Sequence, residues 1–404
     1  MSRLRASRRP PWLTGGGPAA VTRGTLRSST PQETWARLAP LLADRGITRV
    51  ADLTGLDTLG TPVWTAIRPA AATLVASAGK GIDHASARIS AVMESLEVAA
   101  SEQARPERVA YGSARDVEPG YGVAELSLHP VSLVDDRTEL DWVAGWDLAG
   151  GAPALLPAAA VGLRGWAAGQ WQPSTFVTTT NGLAGGNDHV EAALHGLLEL
   201  CERDALARLG EADAVRVEPD SLGERLGPVV DRIREAGGEA VLERIPSLPG
   251  TYTYTCWLTQ PEMWQVFAGS GCHTDAAIAA ERALLEAVQS RGSTISGGRD
   301  DIPEWTFRLQ GAPAGRPRPV PTRTEPLPAP GAASPSAPPS PASLDEVLDG
   351  LVDAVHARTG RPVIAVDLTP PGRPWPAVVQ VFAPGLGLVL EHPRPQELTS
   401  RSFV

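Results

Sequence analysis

Cysteine is nearly missing from this 404-residue chain: it has three, Cys201, Cys256 and Cys272, and no CxxC pair. So sparse and odd a set excludes a disulfide scaffold and an all-cysteine zinc site, and it fits a reducing, cytoplasmic compartment. No run of ~18 apolar residues occurs, so no membrane span is expected. Basic charge is outweighed, 36 Lys and Arg against 46 Asp and Glu, which argues against a surface built for nucleic-acid phosphates. The opening MSRLRASRRPPWLTGGG carries four arginines in nine residues with no apolar stretch behind them. It is no secretory signal, and a solvated arm is expected there. HExxH, GxSxG, GxGxxG and the kinase HRD/DFG set are absent too. Lys80 sits in GKG without the following Ser/Thr or the preceding glycine of a Walker A loop.

Two further scarcities are more pointed. Lys80 is the one lysine among 36 basic residues, and Asn181 and Asn187 are the only asparagines. A compact ammonium does what a planar guanidinium cannot, and Asn tolerates left-handed turns. All three lie in segments that lead into long helices.

What is present is enough for a core: 42% hydrophobic against 20% charged residues. At ~150 residues per domain the length allows two to three domains or one large one. Residues 1–45 read as the arm and a short helix over 30–46. The core runs over 46–311, with long helices over about 84–103, 189–209 and 276–291. Residues 312–342 hold 11 of the 38 prolines and almost no bulky apolar side chains, so they read as a mobile linker or loop. Residues 343–404 repeat the helix–glycine–strand pattern of 221–245 and read as a further α/β unit of the same domain. The expectation is a single large α+β domain of repeated helix–strand units.

Three segments align without gaps: 79–97, 185–202 and 271–289. Each opens with what reads as a glycine turn. Each then has an aspartate, Asp83, Asp188 or Asp275, where a helix N-cap belongs. Eleven residues later stands a glutamate, Glu94, Glu199 or Glu286. Three further on comes Glu97, Glu202 or Gln289, and four before the glutamate comes Ser90, His195 or Arg282. Offsets of −4, 0 and +3 fall within roughly 60° on a helix, so each trio shares a face. A single polar stripe usually faces water. Here the rest of each helix is largely Ala, Leu, Val, Ile, Met and Cys, which predicts burial nearly all round.

Several buried glutamates repel one another unless a cation neutralises them. Carboxylates without Cys or paired His favour Mg²⁺ or Ca²⁺ over zinc. Glycine turns opening onto helix N-termini would offer N–H groups to phosphate oxygens, and Lys80, Arg203 and Arg291 add positive charge. The inference is a Mg²⁺–nucleotide site between helices of a repeated scaffold. His84, His129, His189, His273, His356 and His392 each read as structural or exposed.

At these segments the chain resembles YcaO-domain proteins, most of all over 60–305. The matches are SAGKG (77–81), SAVMESLE (90–97), NGLAGGN (181–187), EAALHGLLELCERDA (191–205) and EAVQSRGSTISGGRDD (286–301). The resemblance implies a YcaO-like fold binding ATP and Mg²⁺. Nucleotide contacts would come from Ser77, Lys80, Asn187, Arg203, Gln289 and Arg291, joined by Arg282 from the repeat. Magnesium would be held by Glu94, Glu97, Glu191, Glu199 and Glu202, with Glu286. The implied activity is ATP-dependent modification of a backbone amide in a ribosomal precursor peptide, by phosphorylation of the amide-derived oxygen. IRPAAATLVASAGKG and DWVAGWDL resemble the TfuA-associated, thioamide-forming branch. Azoline-forming members commonly end in a PxPxP tail, whereas this chain ends QELTSRSFV and has only HPRP at 392–395. Azoline or amidine formation is the alternative, and a non-catalytic ATP-binding subunit is a second. The resemblance also implies a TfuA-like or other peptide-delivery partner and allows a homodimer; no nucleic-acid or membrane partner is expected.

Overall fold

Three aspartates begin three long helices, and the strand before each decides where that helix lies. A computed structural model describes residues 9–18, 20–22, 25–163, 175–209, 214–261, 263–298, 317–318, 321–329, 343–373, 375–388 and 394–395. Strands β1 (Ala20–Thr22) and β2 (Thr25–Arg27) form a hairpin ahead of helix α1 (Pro31–Leu38). Strands β3 (Arg49–Asp52), β4 (Val63–Ile67) and β5 (Ala76–Lys80) lead into α2 (His84–Gln103). Next, β6 (Arg108–Gly112), β7 (Leu140–Asp147), β8 (Ala152–Pro157) and β9 (Leu183–Gly186) lead into α3 (His189–Ala207). Then β10 (Val215–Val217), α4 (Gly223–Glu235), β11 (Glu239–Ile245), β12 (Tyr252–Gln260) and β13 (Met263–His273) lead into α5 (Ala276–Ser296). The described remainder holds β14 (Pro317–Arg318), β15 (Thr324–Glu325), α6 (Leu344–Thr359), β16 (Ile364–Asp367), β17 (Ala377–Phe382) and β18 (Arg394–Pro395).

The sheets run β3-β4-β5, β6-β7-β16-β17-β9 with β8 also on β7, and β13-β12-β11-β10-β15. Pairing within them is antiparallel except for β10 with β15, so helices and largely antiparallel sheets mix as an α+β fold. Strands β16 and β17 lie inside the six-stranded sheet, between β7 and β9, so the C-terminal segment shares its core.

All three aspartates cap. Asp83 Oδ1 accepts from the Ser86 N–H at 2.8 Å, Asp188 from Glu191 at 2.9 Å and Asp275 from Ala277 at 2.8 Å. The helices they start are buried on most faces, as their composition predicts.

The expected glycine turns are a different device. Gly79, Gly186, Gly269 and Gly271 lie within β5, β9 and β13, and they let the following helix press backbone against backbone. A Cβ on Gly79 would stand 2.1 Å from Ala91 N, and one on Gly269 would stand 2.2 Å from Ala283 O. Nor are the helix N-termini open to phosphate in the way the turns suggested. Each aspartate takes up first-turn donors, and Thr14 O accepts from the N–H groups of His189 and Val190 at 3.1 and 3.2 Å.

Each helix covers its own strand and the strand of the next unit: α2 packs on β5 and β9, α3 on β9 and β13, and α5 on β13 and β5. The three units close a ring. One side chain per helix fastens each joint, always the residue three past the repeated glutamate. Glu97 accepts from Gly185 N–H at 2.8 Å, Glu202 from the Ser270 hydroxyl at 2.6 Å, and Gln289 donates to Ala78 O at 2.9 Å.

Two expectations about the ends of the core need correcting. Residues 9–18 are no solvated arm: Leu13 is buried beside α3 and α6, Arg9 ion-pairs with Asp345 and Asp349, and Gly17 O accepts from Leu344 N–H. An apolar anchor and two ion pairs outweigh the local Gly/Pro preference for open chain. The proline-rich segment is not wholly a linker either. Within 321–329, β15 adds in parallel to the sheet edge at β10, held by Arg244 on Glu325 (2.8 Å). An edge place suits a segment rich in residues that lack an N–H. The rest of 312–342 lies outside the described residues apart from Pro317–Arg318.

Gly79→Ala is expected to lower unfolding free energy by about 3 kcal/mol or more, because the obstacle is backbone. Gly227→Ala, inside α4 with open space beside it, is expected to change it by less than about 0.5 kcal/mol, because the propensity gained is offset by Pro228, whose ring crowds a Cβ on the preceding helical residue. Urea titrations of the two variants beside the parent check the contrast.

Candidate functional site

The ring brings most of the expected residues to one place. Lys80, at the end of β5, reaches across the closing joint to Glu286 of α5, Nζ to Oε2 2.5 Å. On α3, Arg203 spans Glu202 (3.1 Å), Glu199 (3.3 Å) and the side-chain oxygen of Asn181 (3.4 Å). Burial pushes the Arg203 pKa down, but Glu202, Glu199 and Glu286 outweigh it and hold the guanidinium firmly charged. Arg203 and Lys80 thus link the acids of α3 and α5.

The carboxylates differ in state, and the cause is local. Burial raises Glu97 to about 7; neighbouring Glu199 adds to the rise, while Gly185 N–H, Arg27 and Arg282 oppose it. Glu199 is raised as well, by burial first and by Glu202, although Arg203 and Gly182 N–H (3.1 Å) pull it down. Burial also acts on Glu191, 1% exposed, yet Arg27 and Ser28 more than offset it and the net shift is downward. Both Glu191 oxygens are engaged: Arg27 at 3.0 Å, Ser28 N–H and hydroxyl at 2.9 and 2.8 Å, and Asn187 N–H and Nδ2 at 3.2 Å. Asn187 accepts in turn from Thr34 of α1 at 3.0 Å. Glu94 stands one turn before Glu97 on α2, half-buried.

Three groups the sequence offered to phosphate are found as follows. Ser77 is buried on β5, and its hydroxyl has no partner among the described residues. Arg282 keeps a buried Nε without a partner among the described residues. Arg291 departs from the expectation: its Nε and Nη2 hold Asp57 at 3.0–3.1 Å and its Nη1 meets Met263 Sδ at 2.8 Å, in a buried ion pair. Each of its nitrogens has a partner, so it ties the 54–59 turn to α5 and its charge is paired with Asp57.

Sequence reasoning missed Arg27, Ser28 and Asp57, because no spacing pattern connects them to the repeat. It also set His273 aside. That ring lies at the end of β13, 3% exposed, within electrostatic reach of Arg282 and Arg27. Its Nδ1 accepts from Asp275 N–H at 3.0 Å, which leaves the proton of the neutral ring on Nε2.

The residues fit a magnesium nucleotide. Among the described residues no three His, Cys, Asp or Glu side chains converge as a closed metal cage. A closed cage is not what Mg²⁺ selects; it binds through one or two carboxylates, waters and ligand phosphates. Buried carboxylates raised toward neutrality stand beside unpartnered buried donors. That donor set suits a dication and a polyanion arriving together.

The family described as YcaO cyclodehydratase, ATP- and Mg²⁺-binding, matches residues 78–387. The chain belongs to the YcaO family. That family is described as binding ATP and Mg²⁺. A YcaO relative, an uncharacterised protein of Mycobacterium tuberculosis, is 36% identical over 383 residues, covering 90% of this chain and 83% of that protein. Another, described as lying in the tfuA 3′ region of Rhizobium leguminosarum bv. trifolii, is 33% identical over 396 residues, covering 89% and 88%. The structure of YcaO from Methanopyrus kandleri bound with AMPPCP and Mg²⁺ superposes with a TM-score of 0.68 at 27% identity, covering 91% of this chain and 94% of that one. No described helix of this YcaO protein is long and apolar enough to cross a membrane.

Burial holds His273 down at about 3, against 6.5 in an unfolded chain. Below pH 6.5 the unfolded state gains a proton that the folded state refuses until about pH 3, so stability is lost as pH falls through that window. His273→Asn keeps an acceptor for Asp275 N–H and does not titrate. Its unfolding free energy is expected to fall less steeply than the parent's between pH 6.5 and 4, read by urea titration at each pH.

Proposed function

We propose that this protein uses ATP to activate a backbone amide of a ribosomally made precursor peptide, and that with a TfuA-like partner it forms a thioamide there. The observation that carries the reading is the closed ring, in which Glu97 lies within electrostatic reach of Glu199 and Arg282, Arg203 of Glu199, Glu202 and Glu286, and Lys80 pairs with Glu286. When bound, Mg²⁺–ATP supplies the phosphoryl group that makes the amide-derived oxygen a leaving group. The protein's own share is position and charge. Glu97, Glu199 and Glu202 offer hard oxygen ligands whose raised or shared charge a dication relieves. Glu286 and Glu94 flank them, and Glu191 does the same while fastening the β2 strand. Lys80 and Arg203 exchange carboxylate partners for phosphate, and Ser77, Asn187, Gln289 and Arg282 line the nucleotide side. The relative from the tfuA 3′ region, similar across 89% of this chain, supports the thioamide product and the partner. The family description supports a second product, the azoline of a cyclodehydratase.

With peptide and partner supplied, Glu199→Gln and Glu202→Gln are each expected to cut ATP consumption about 100-fold or more while leaving the unfolding transition in place. Unchanged turnover in both variants removes the metal assignment. Mass spectrometry of the peptide separates the products: oxygen exchanged for sulfur in a thioamide, one water lost in an azoline. ATP turnover indifferent to peptide would instead fit a regulatory subunit.

A further inference from the structure

His195 is the one member of the α3 polar row without a role above. It stands one turn from both Glu191 and Glu199 on the face that carries Glu202, so it looks into the same site. Its Nε2 is buried and has no partner among the described residues. Arg282 Nε, on α5, is buried and unpartnered too. His195 lies within electrostatic reach of Arg282, Arg27 and His273, and His273 in turn of Arg282 and Arg27. Burial, followed by Arg27, Arg282 and His273, pushes the His195 pKa well below 6.5, so the ring is uncharged.

A buried polar atom left without a partner costs about 1–3 kcal/mol. Here two such atoms, from two helices, adjoin one site. A guanidinium Nε can only donate, whereas a neutral imidazole nitrogen donates or accepts according to tautomer. A single ligand that satisfies both must therefore bring lone pairs, and beside the Arg282 guanidinium a negatively charged acceptor binds most strongly. We infer that His195 hydrogen-bonds a phosphate oxygen of the nucleotide through Nε2–H, as an uncharged donor beside Arg282. Nε2–H donation fixes the remaining lone pair on Nδ1. An uncharged donor serves this place well, because it grips the anion without repelling Arg27 and Arg282. The inference rests on the nucleotide reading of the site and adds a contact to it.

The test uses the full chain with two probes: the magnesium complex of a non-hydrolysable ATP analogue, and adenosine, which has no phosphate. His195→Ala is expected to weaken the analogue about tenfold in calorimetry and leave adenosine unchanged; His195→Gln, which keeps an N–H, recovers most of the loss. In the parent labelled with ¹⁵N-histidine, the His195 Nε2 signal is expected to shift with the analogue and stay still with adenosine. Equal loss for both probes would assign His195 to the fold instead, and an unmoved Nε2 signal at saturating analogue would overturn the contact even if the variants do not fold. A parent that binds no analogue at all would overturn the nucleotide reading itself, a different failure from a parent that binds with His195 indifferent.

Discussion

One joint, made three times, governs this molecule. The side chain three residues past each repeated glutamate leaves its own helix and bonds the strand of the next unit, Glu97 to Gly185, Glu202 to Ser270 and Gln289 to Ala78. Because the third unit returns to the first, the helices must turn the same row of side chains toward a shared centre. Two of the three joint residues are carboxylates, so closing the ring also concentrates negative charge. The fold and the site therefore have the same cause.

That concentration is tolerated by unequal means. Arg203 neutralises the acids of its own helix α3, Lys80 meets Glu286 of α5 across the closing joint, and Arg27 with Ser28 keeps Glu191 ionised. Among the described residues Glu97 has a single bonded partner, a backbone N–H, and burial pushes it to about 7. Partial neutralisation of this kind is poor for stability and useful for ligands: a carboxylate that resists ionisation in isolation gains most when a dication arrives. Arginine is used twice in opposite ways. Arg203 shares acids at the centre, whereas Arg291, one of the most suggestive residues in the sequence, is spent on holding Asp57.

The N-terminal segment shows how a stretch without pattern becomes part of the core. Leu13 enters the α3–α6 cluster, Thr14 closes the N-terminus of α3, and β2 delivers Arg27 to Glu191. Arg27 precedes the residues matched by the family description, yet its charge is felt by Glu97, His195 and His273. The proline-rich stretch behaves likewise on a smaller scale, lending β15 to a sheet edge where a missing N–H does no harm.

The three helices, their aspartate caps and the acid rows were legible in the sequence, because caps, apolar surroundings and fixed offsets along a helix are local and periodic. Asp188 caps α3 through the Glu191 N–H, while the Glu191 side chain turns to Arg27, Ser28 and Asn187. The strand glycines looked like turns because both uses need a missing Cβ, and only the helix backbone 2.1–2.6 Å from the would-be atom tells them apart. Which cation meets which acid, and whether Arg291 faces ligand or Asp57, depends on residues far apart in the chain meeting across a joint. Local chemistry can be read from neighbours in sequence; pairing across the ring exists only once the ring has closed.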